Sequence, residues 1–152
     1  MVTLHHFTSP QWFIQKGGWL LKTAAANFLS YVERLVEGLG DLVPYWVIFN
    51  EPMVYVYRGY VTGEWPPGLQ SSQAAGRVSY ALIKTHCLGY RLIHTIYQKR
   101  KWGPVWVGVA KHLRPFFPHY SHISDTLVVK IRDYFFNWDF LKRIRFNLDF
   151  IG

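Results

Sequence analysis

Tyr45-Trp46-Val47-Ile48-Phe49-Asn50-Glu51-Pro52 is a compact apolar run that ends abruptly in an amide, a carboxylate and a proline. Six residues of this kind suit a strand buried on both faces, as in a parallel sheet. The segments on either side have a different period. From Ala24 to Leu39 the apolar residues fall at Phe28, Val32, Leu35, Val36 and Leu39, a helical spacing closed by Gly38 and Gly40. Beyond a loop rich in Gly, Pro and aromatics, from Pro52 to about Gln70, Ser71-Ser72 can cap a long helix over Gln73–Lys101. Val78, Leu82, Cys87, Tyr90, Ile93 and Tyr97 lie on or near one stripe of it.

Further outward the alternation continues. Val2–Phe7 and Val105–Ala110 read as strands, with a loop at Pro10 and Gly17-Gly18 after the first. A loop with Pro115 and Pro118 leads to a helix that Ser124 or Asp125 can cap and that reaches roughly Arg145. Asp149-Phe150-Ile151-Gly152 opens a fourth strand. The order β-α-β-α-β-α-β predicts a parallel sheet with right-handed crossovers. No internal repeat or linker divides residues 1–152, which read as a single unit. Strands at both ends suggest a sheet cut from a larger closed one, since exposed edges invite aggregation. A (β/α)₈ barrel needs about 250 residues, so at most part of one is present. An open doubly wound sheet has the same order.

Composition narrows the function classes. Half of the 152 residues are hydrophobic, and seven Trp, ten Tyr and eleven Phe must fill a core or line a site for flat groups. The net charge of +8 suits an acidic partner. Its cations are scattered, however. The clusters Lys99-Arg100-Lys101 and Lys142-Arg143-Ile144-Arg145 sit near probable helix C-termini, where cations favour the helix dipole, so nucleic acid is not the expected partner. A single cysteine, Cys87, excludes an internal disulfide and sits in an apolar helical pattern, as a buried inert thiol does. No apolar run approaches 18 residues, and Met1-Val2-Thr3-Leu4 lacks a signal peptide's basic and apolar regions. A cytoplasmic protein without a membrane partner is expected.

In parallel α/β folds the site lies beyond the C-terminal ends of the strands. Those ends carry His5-His6-Phe7, Asn50-Glu51-Pro52 and Lys111-His112. A carboxyl against the apolar residues 45–49 is expected to have its ionised form disfavoured, as suits a general acid. The structural alternative is a glutamate at a strand–loop junction where Pro52 stops the strand. His5 and His6 point to opposite faces, so only one can reach a site. A metal site from His5, His6, His119 or His122 lacks a ligand motif, and no metal or cofactor is expected. Trp12, Trp19, Trp65 and Tyr60 fall in loops where aromatics can stack on sugar or simply pack. Phosphate-loop, serine-elbow and CxxC patterns are absent.

Several of these segments resemble one family. Thr3-Leu4-His5-His6-Phe7, Pro10-Gln11-Trp12 and Gly17-Gly18-Trp19 resemble the third barrel strand and following loop of family 1 glycoside hydrolases, the β-glucosidases and β-galactosidases. Tyr45–Pro52 is similar to that family's acid/base signature, with core T-F-N-E-P. Gly59-Tyr60, Gly63 and Pro67-Gly68 fit the next loop, and His86 sits where the family's long helix carries a histidine. Val107–Ala110 and Asp149–Gly152 resemble strands five and six. The resemblance implies a partial (β/α)₈ TIM barrel, approximately strands three to six, and retaining hydrolysis of a β-linked glycoside or oligosaccharide. Glu51 would then be the acid/base, Asn50 would hold the sugar 2-hydroxyl, His6 another hydroxyl, and Trp46 would support the floor. Gln11 and Trp12 are nearby candidates. His5 replaces a position often aromatic in the family, Ile48 one often Thr, and His112 one often Asn.

Retention needs a second carboxylate about 5–5.5 Å from the first. None of the other acidic residues, Glu33, Glu37, Asp41, Glu64, Asp125, Asp133, Asp139 and Asp149, carries the family's E-N-G nucleophile motif. Either this chain is one part of a glycosidase, inactive alone, or a half barrel serves as a non-catalytic sugar-binding or assembly module that self-associates through open barrel edges.

Overall fold

A computed structural model describes residues 1–120 and 122–152. Its strands are β1 (Val2–His5), β2 (Tyr45–Asn50), β3 (Trp106–Ala110) and β4 (Phe150–Ile151), all parallel and in the spatial order β1-β2-β3-β4. Each strand lies beside its chain neighbour, which is what repeated crossovers produce. The first crossover ends in α2 (Ala24–Leu39), the second in α4 (Ser72–Arg100), and the third in α5 (Ile123–Asp133) and α6 (Asp139–Ile144).

The pattern of β2 explains its place. Trp46, Val47, Ile48 and Phe49 are all buried, and Trp46 Nε1 donates to Tyr97 Oη of α4 at 2.9 Å. Gly89 lets α4 lie close to β2, since a methyl group there would sit 3.3 Å from Ile48 Cδ1. The opposite face is less covered. Tyr45 stacks on its register partner Trp106 at 4.9 Å, and both rings remain more than a third exposed. The stripe expected on α2 buries Phe28, Val32 and Val36, and Ser71 Oγ caps α4 by accepting from Ala74 N at 3.2 Å.

At the N-terminal ends of the strands, Asp149 ties β4 to β3 and to α4. Its carboxylate accepts from Val107 N at 2.8 Å, Tyr90 Oη at 2.7 Å and His94 Nε2 at 3.0 Å. Gly108 is required in β3, because a Cβ there would lie 2.4 Å from the Phe150 carbonyl oxygen. Gly108→Val is expected to destabilise the chain by about 1–3 kcal/mol through overpacking against backbone that cannot retreat. Urea unfolding at neutral pH measures the loss.

Two expected loops hold short helices. The loop at Pro10 and Gly17-Gly18 contains α1 (Gln11–Gln15) and a single 3₁₀ turn (Gly18–Leu20), which bury Phe13 and Trp19. The loop from Pro52 begins as α3 (Pro52–Val56) and widens into a π turn (Tyr57–Val61), burying Met53, Tyr55, Val56 and Tyr60. Such short elements have no periodicity to read; a proline pre-set for the first helical position and burial of one face stabilise them. The last helix begins at Ile123 without a side-chain cap, and Asp125 instead accepts from Tyr120 N at 3.0 Å. Between α5 and α6 the helix widens over Tyr134–Trp138, and Lys111 Nζ donates to the Phe136 carbonyl at 2.7 Å.

Candidate active site

The C-terminal ends of β1, β2 and β3 converge, and each ends in backbone or side chains that depart from a simple strand. At the end of β1, Phe7 has φ 65°. His5 is buried in an aromatic box, with ring centroids 5.6 Å from Trp19, 5.6 Å from Phe49 and 5.5 Å from Tyr55. Burial, helped by the charge of His6, pushes the His5 imidazole down from 6.5 to about 4. His6 points the other way and is exposed. Gln11 is exposed at the start of α1, and Trp12 is half exposed beside it.

Glu51 follows β2 with φ 43° and ψ 56°, a left-handed conformation unfavourable for a residue with a Cβ. The conformation is held on both sides. Glu51 N donates to the Ala110 carbonyl of β3 at 2.8 Å, and the Glu51 carbonyl accepts from Val54 N at 3.0 Å in the first turn of α3. The carboxyl is only partly enclosed. The Glu51 side chain is 33% exposed and lies in a groove, with Oε1 3.8 Å from His112 Nδ1. Asn50 is half-buried directly before it.

Lys111, after β3, is buried, and its ammonium donates to the carbonyls of His112 and Phe136, both at 2.7 Å. Burial pushes it down to about 8, while the charge of Glu51 pulls it partly back up. The groove has a volume of about 1090 Å³. One wall is α3 with its π turn and α4; the other is the segment after β3 with α5 and the turn that follows it. Glu51 and His112 both line it.

Trp46 is elsewhere. It is fully buried at the first turn of β2, bonded to Tyr97, about 16 Å along the strand from Glu51 at ~3.3 Å per residue. It supports the core between sheet and α4, and the expected floor beneath a sugar does not include it. Trp19 and Tyr60 are likewise core residues, while Trp65 packs edge-on to Phe7 at 4.9 Å. His112 belongs beside Glu51, and only its position after an apolar strand hinted at this. Asn137, which braces the segment after β3, had no such signal because it sits inside a helical pattern. No three His, Cys, Asp or Glu side chains converge as metal ligands among the described residues. Among the same residues no helix is long and apolar enough to cross a membrane.

The model of glycosyl hydrolase family 1 matches residues 1–144. A chloroplastic beta-glucosidase-like protein of Oryza sativa subsp. japonica is 33% identical over 162 aligned residues, which cover 100% of this chain and 24% of that protein. The cytosolic beta-glucosidase of Homo sapiens is 31% identical over 86% of this chain and 28% of its own length. Among solved structures, a beta-glycosidase from Pyrococcus horikoshii superposes with a TM-score of 0.84 at 38% identity, over 95% of this chain and 32% of that one. The chain therefore spans about a quarter to a third of these relatives, and its sheet and helices are a section of a (β/α)₈ barrel.

Proposed function

The chain belongs to glycosyl hydrolase family 1, and from that premise we propose that it carries the acid/base portion of a retaining β-glycosidase, with Glu51 as the acid/base carboxylate. The observation that supports this most is the seat of Glu51. A strained left-handed residue at the C-terminal end of a buried parallel strand turns its carboxyl into a groove, and strain of this kind persists where the surroundings over-determine it.

In the first step Glu51 protonates the glycosidic oxygen as the bond to the anomeric carbon breaks and a carboxylate nucleophile bonds to that carbon. In the second, Glu51 takes a proton from the water that displaces the nucleophile. His112 Nδ1 lies 3.8 Å from the Glu51 carboxylate on the same groove. The Asn50 amide can hold the sugar 2-hydroxyl, and the exposed His6 a further hydroxyl. Gln11 flanks the same end of the sheet. The substrate is a β-linked glycoside of glucoside or galactoside type.

The nucleophile is to come from outside this set of residues. Glu37 pairs with Arg100, Glu64 with Arg58 and Asp139 with Arg143. Asp133 accepts from Asn137 and Trp138, Asp125 accepts from Tyr120, and Asp149 braces the other end of the sheet. Glu33 and Asp41 are exposed next to α2's outer face and C-terminus. The pure 152-residue chain is therefore expected to show no turnover of an aryl β-glucoside above buffer. Turnover that disappears in Glu51→Gln would sink the idea that the second carboxylate lies elsewhere.

A second reading is favoured by the two sheet edges. Among the described residues β1 and β4 each pair on one side only, and α5 exposes Ile123, Leu127 and Ile131. On this reading the chain is an assembly module that self-associates through those edges. A strictly monomeric mass in size-exclusion chromatography with light scattering, together with a cooperative melt, argues against it.

A further inference from the structure

The groove that Glu51 lines has a chemistry of its own. Its walls are mostly apolar, with Met53, Val54, Ile83, Phe135 and Phe136 among them, but four arginines also line it: Arg58, Arg114, Arg132 and Arg143. Two of these are neutralised, Arg58 by Glu64 and Arg143 by Asp139. Arg114 and Arg132 have no carboxylate partner among the described residues, yet both guanidinium groups lie against one ring, 5.9 Å and 5.7 Å from the centroid of Phe116. Two like charges gathered on one side chain repel each other unless an anion joins them.

The main chain of Arg114 and the side chain of Arg132 each have a partner. Asn137, 5% exposed, accepts from Arg114 N at 3.0 Å and donates to the Arg114 carbonyl at 2.7 Å, and it also donates to Asp133 at 2.7 Å. Arg132 Nη2 reaches Tyr57 Oη on the opposite wall at 3.4 Å. Planar guanidinium forks suit a carboxylate or another oxyanion better than any neutral group. Arg114 and Arg132 line the groove together with Glu51, so a ligand charged at one end has one direction in which that charge meets the guanidinium groups.

We propose that the groove receives the aglycone of the β-glycoside, and that this aglycone is an apolar ring or chain bearing an anionic group held between Arg114 and Arg132. The proposal rests on Glu51 being the acid/base residue, which sets the sugar beside that carboxyl. The apolar walls then take the body of the aglycone and the arginine pair takes its charge.

The test uses the 152-residue chain and calorimetric titration at low salt with two probes, 4-carboxyphenyl β-D-glucopyranoside and its 4-methylphenyl counterpart. The carboxylate is expected to bind about tenfold or more tightly than the methyl compound, as a charge-assisted contact implies. That advantage is expected to shrink with added salt and to vanish in R114Q/R132Q, with the methyl compound's affinity unchanged. In R114E/R132E the preference should invert toward the 4-(aminomethyl)phenyl glucoside, an outcome that a misfolded variant cannot imitate. Because Asn137 grips the backbone of Arg114, its side chain can be replaced without releasing the segment.

Three results overturn the proposal, and they separate its parts. If the neutral glucoside binds and the carboxylate adds nothing, or if its advantage survives in R114Q/R132Q, the anion subsite is wrong and the reading of Glu51 stands. If free 4-hydroxybenzoate binds as tightly as its glucoside, the arginines hold an anion without a sugar, and the glycoside reading falls. If neither glucoside binds, both fall.

Discussion

Lowering the pH from 7 to 5 is expected to destabilise this chain by about 4 kcal/mol, with two buried histidines responsible. His5 and His86 are both pushed down from 6.5 to about 4, chiefly by burial. His86 is fully buried in α4, with Nε2 2.9 Å from the Asn147 carbonyl, and that bond offsets part of the effect. The sign follows from proton uptake. Unfolded histidines take protons as the pH falls through 6.5, whereas the folded ones stay neutral until about 4. Stability is complete above about pH 6.5 and is lost progressively between there and pH 4, by about 2 kcal/mol per histidine at pH 5 and about 3 at the lower limit. Against a total stability of about 5–15 kcal/mol, that is a large share at pH 5 and, for a domain at the lower end of that range, enough to unfold it near pH 4. His5→Phe removes half of the effect while filling the box of Trp19, Phe28, Phe49 and Tyr55 with another ring. Urea unfolding at pH 7, 6 and 5 should give His5→Phe about half the pH dependence of the parent. An unchanged slope would show that His5 plays no part in it.

Joined to the complementary part of the Pyrococcus horikoshii beta-glycosidase, this chain is expected to turn over β-glucosides, and Glu51→Gln in that chimera should slow alkyl glucosides by about 10²–10⁴-fold. Superposition over 95% of this chain sets the junctions. The dependence on leaving group is the sharper part of the prediction. An alkoxide leaves only with a proton from the acid, so its glycosides suffer the full loss in the first step. A nitrophenolate leaves unaided, so its glycosides keep a fast first step and stall in the second, where Glu51 would activate water. A burst of nitrophenol followed by slow turnover in Glu51→Gln marks that division of labour. Equal losses for both leaving groups, without a burst, would remove Glu51 from the acid/base role.

Much of this was readable without coordinates. Strand β2, helix α2 and helix α4 lie within a residue of where their periods put them, because each is long enough for burial on one or both faces to leave a pattern. The position of Glu51 at a strand end was equally plain, since Asn50-Glu51-Pro52 interrupts an unbroken apolar run. What failed was any inference that needed direction. Trp46 and Glu51 are five residues apart and read as one motif, but a strand places them at opposite ends of the sheet. The left-handed turn at Glu51 and the groove its partly exposed carboxyl lines were not readable from the apolar run before it.

By itself, then, the sequence determined the order of strands and helices and the strand end that carries the carboxylate, because hydrophobic periodicity and an abrupt polar stop are local properties. Only the tertiary structure decided which side chains meet there. The contact of Glu51 with His112, and of Arg132 with the ring of Phe116 that Arg114 also faces, joins residues from different elements. The support of the widened helix by Lys111 and the bracing of Arg114 by Asn137 do the same. Parallel pairing, and packing of α4 against α6 and of α3 against the turn over Tyr134–Trp138, bring these groups together, and no local pattern records a contact between segments set by the path of the chain between them.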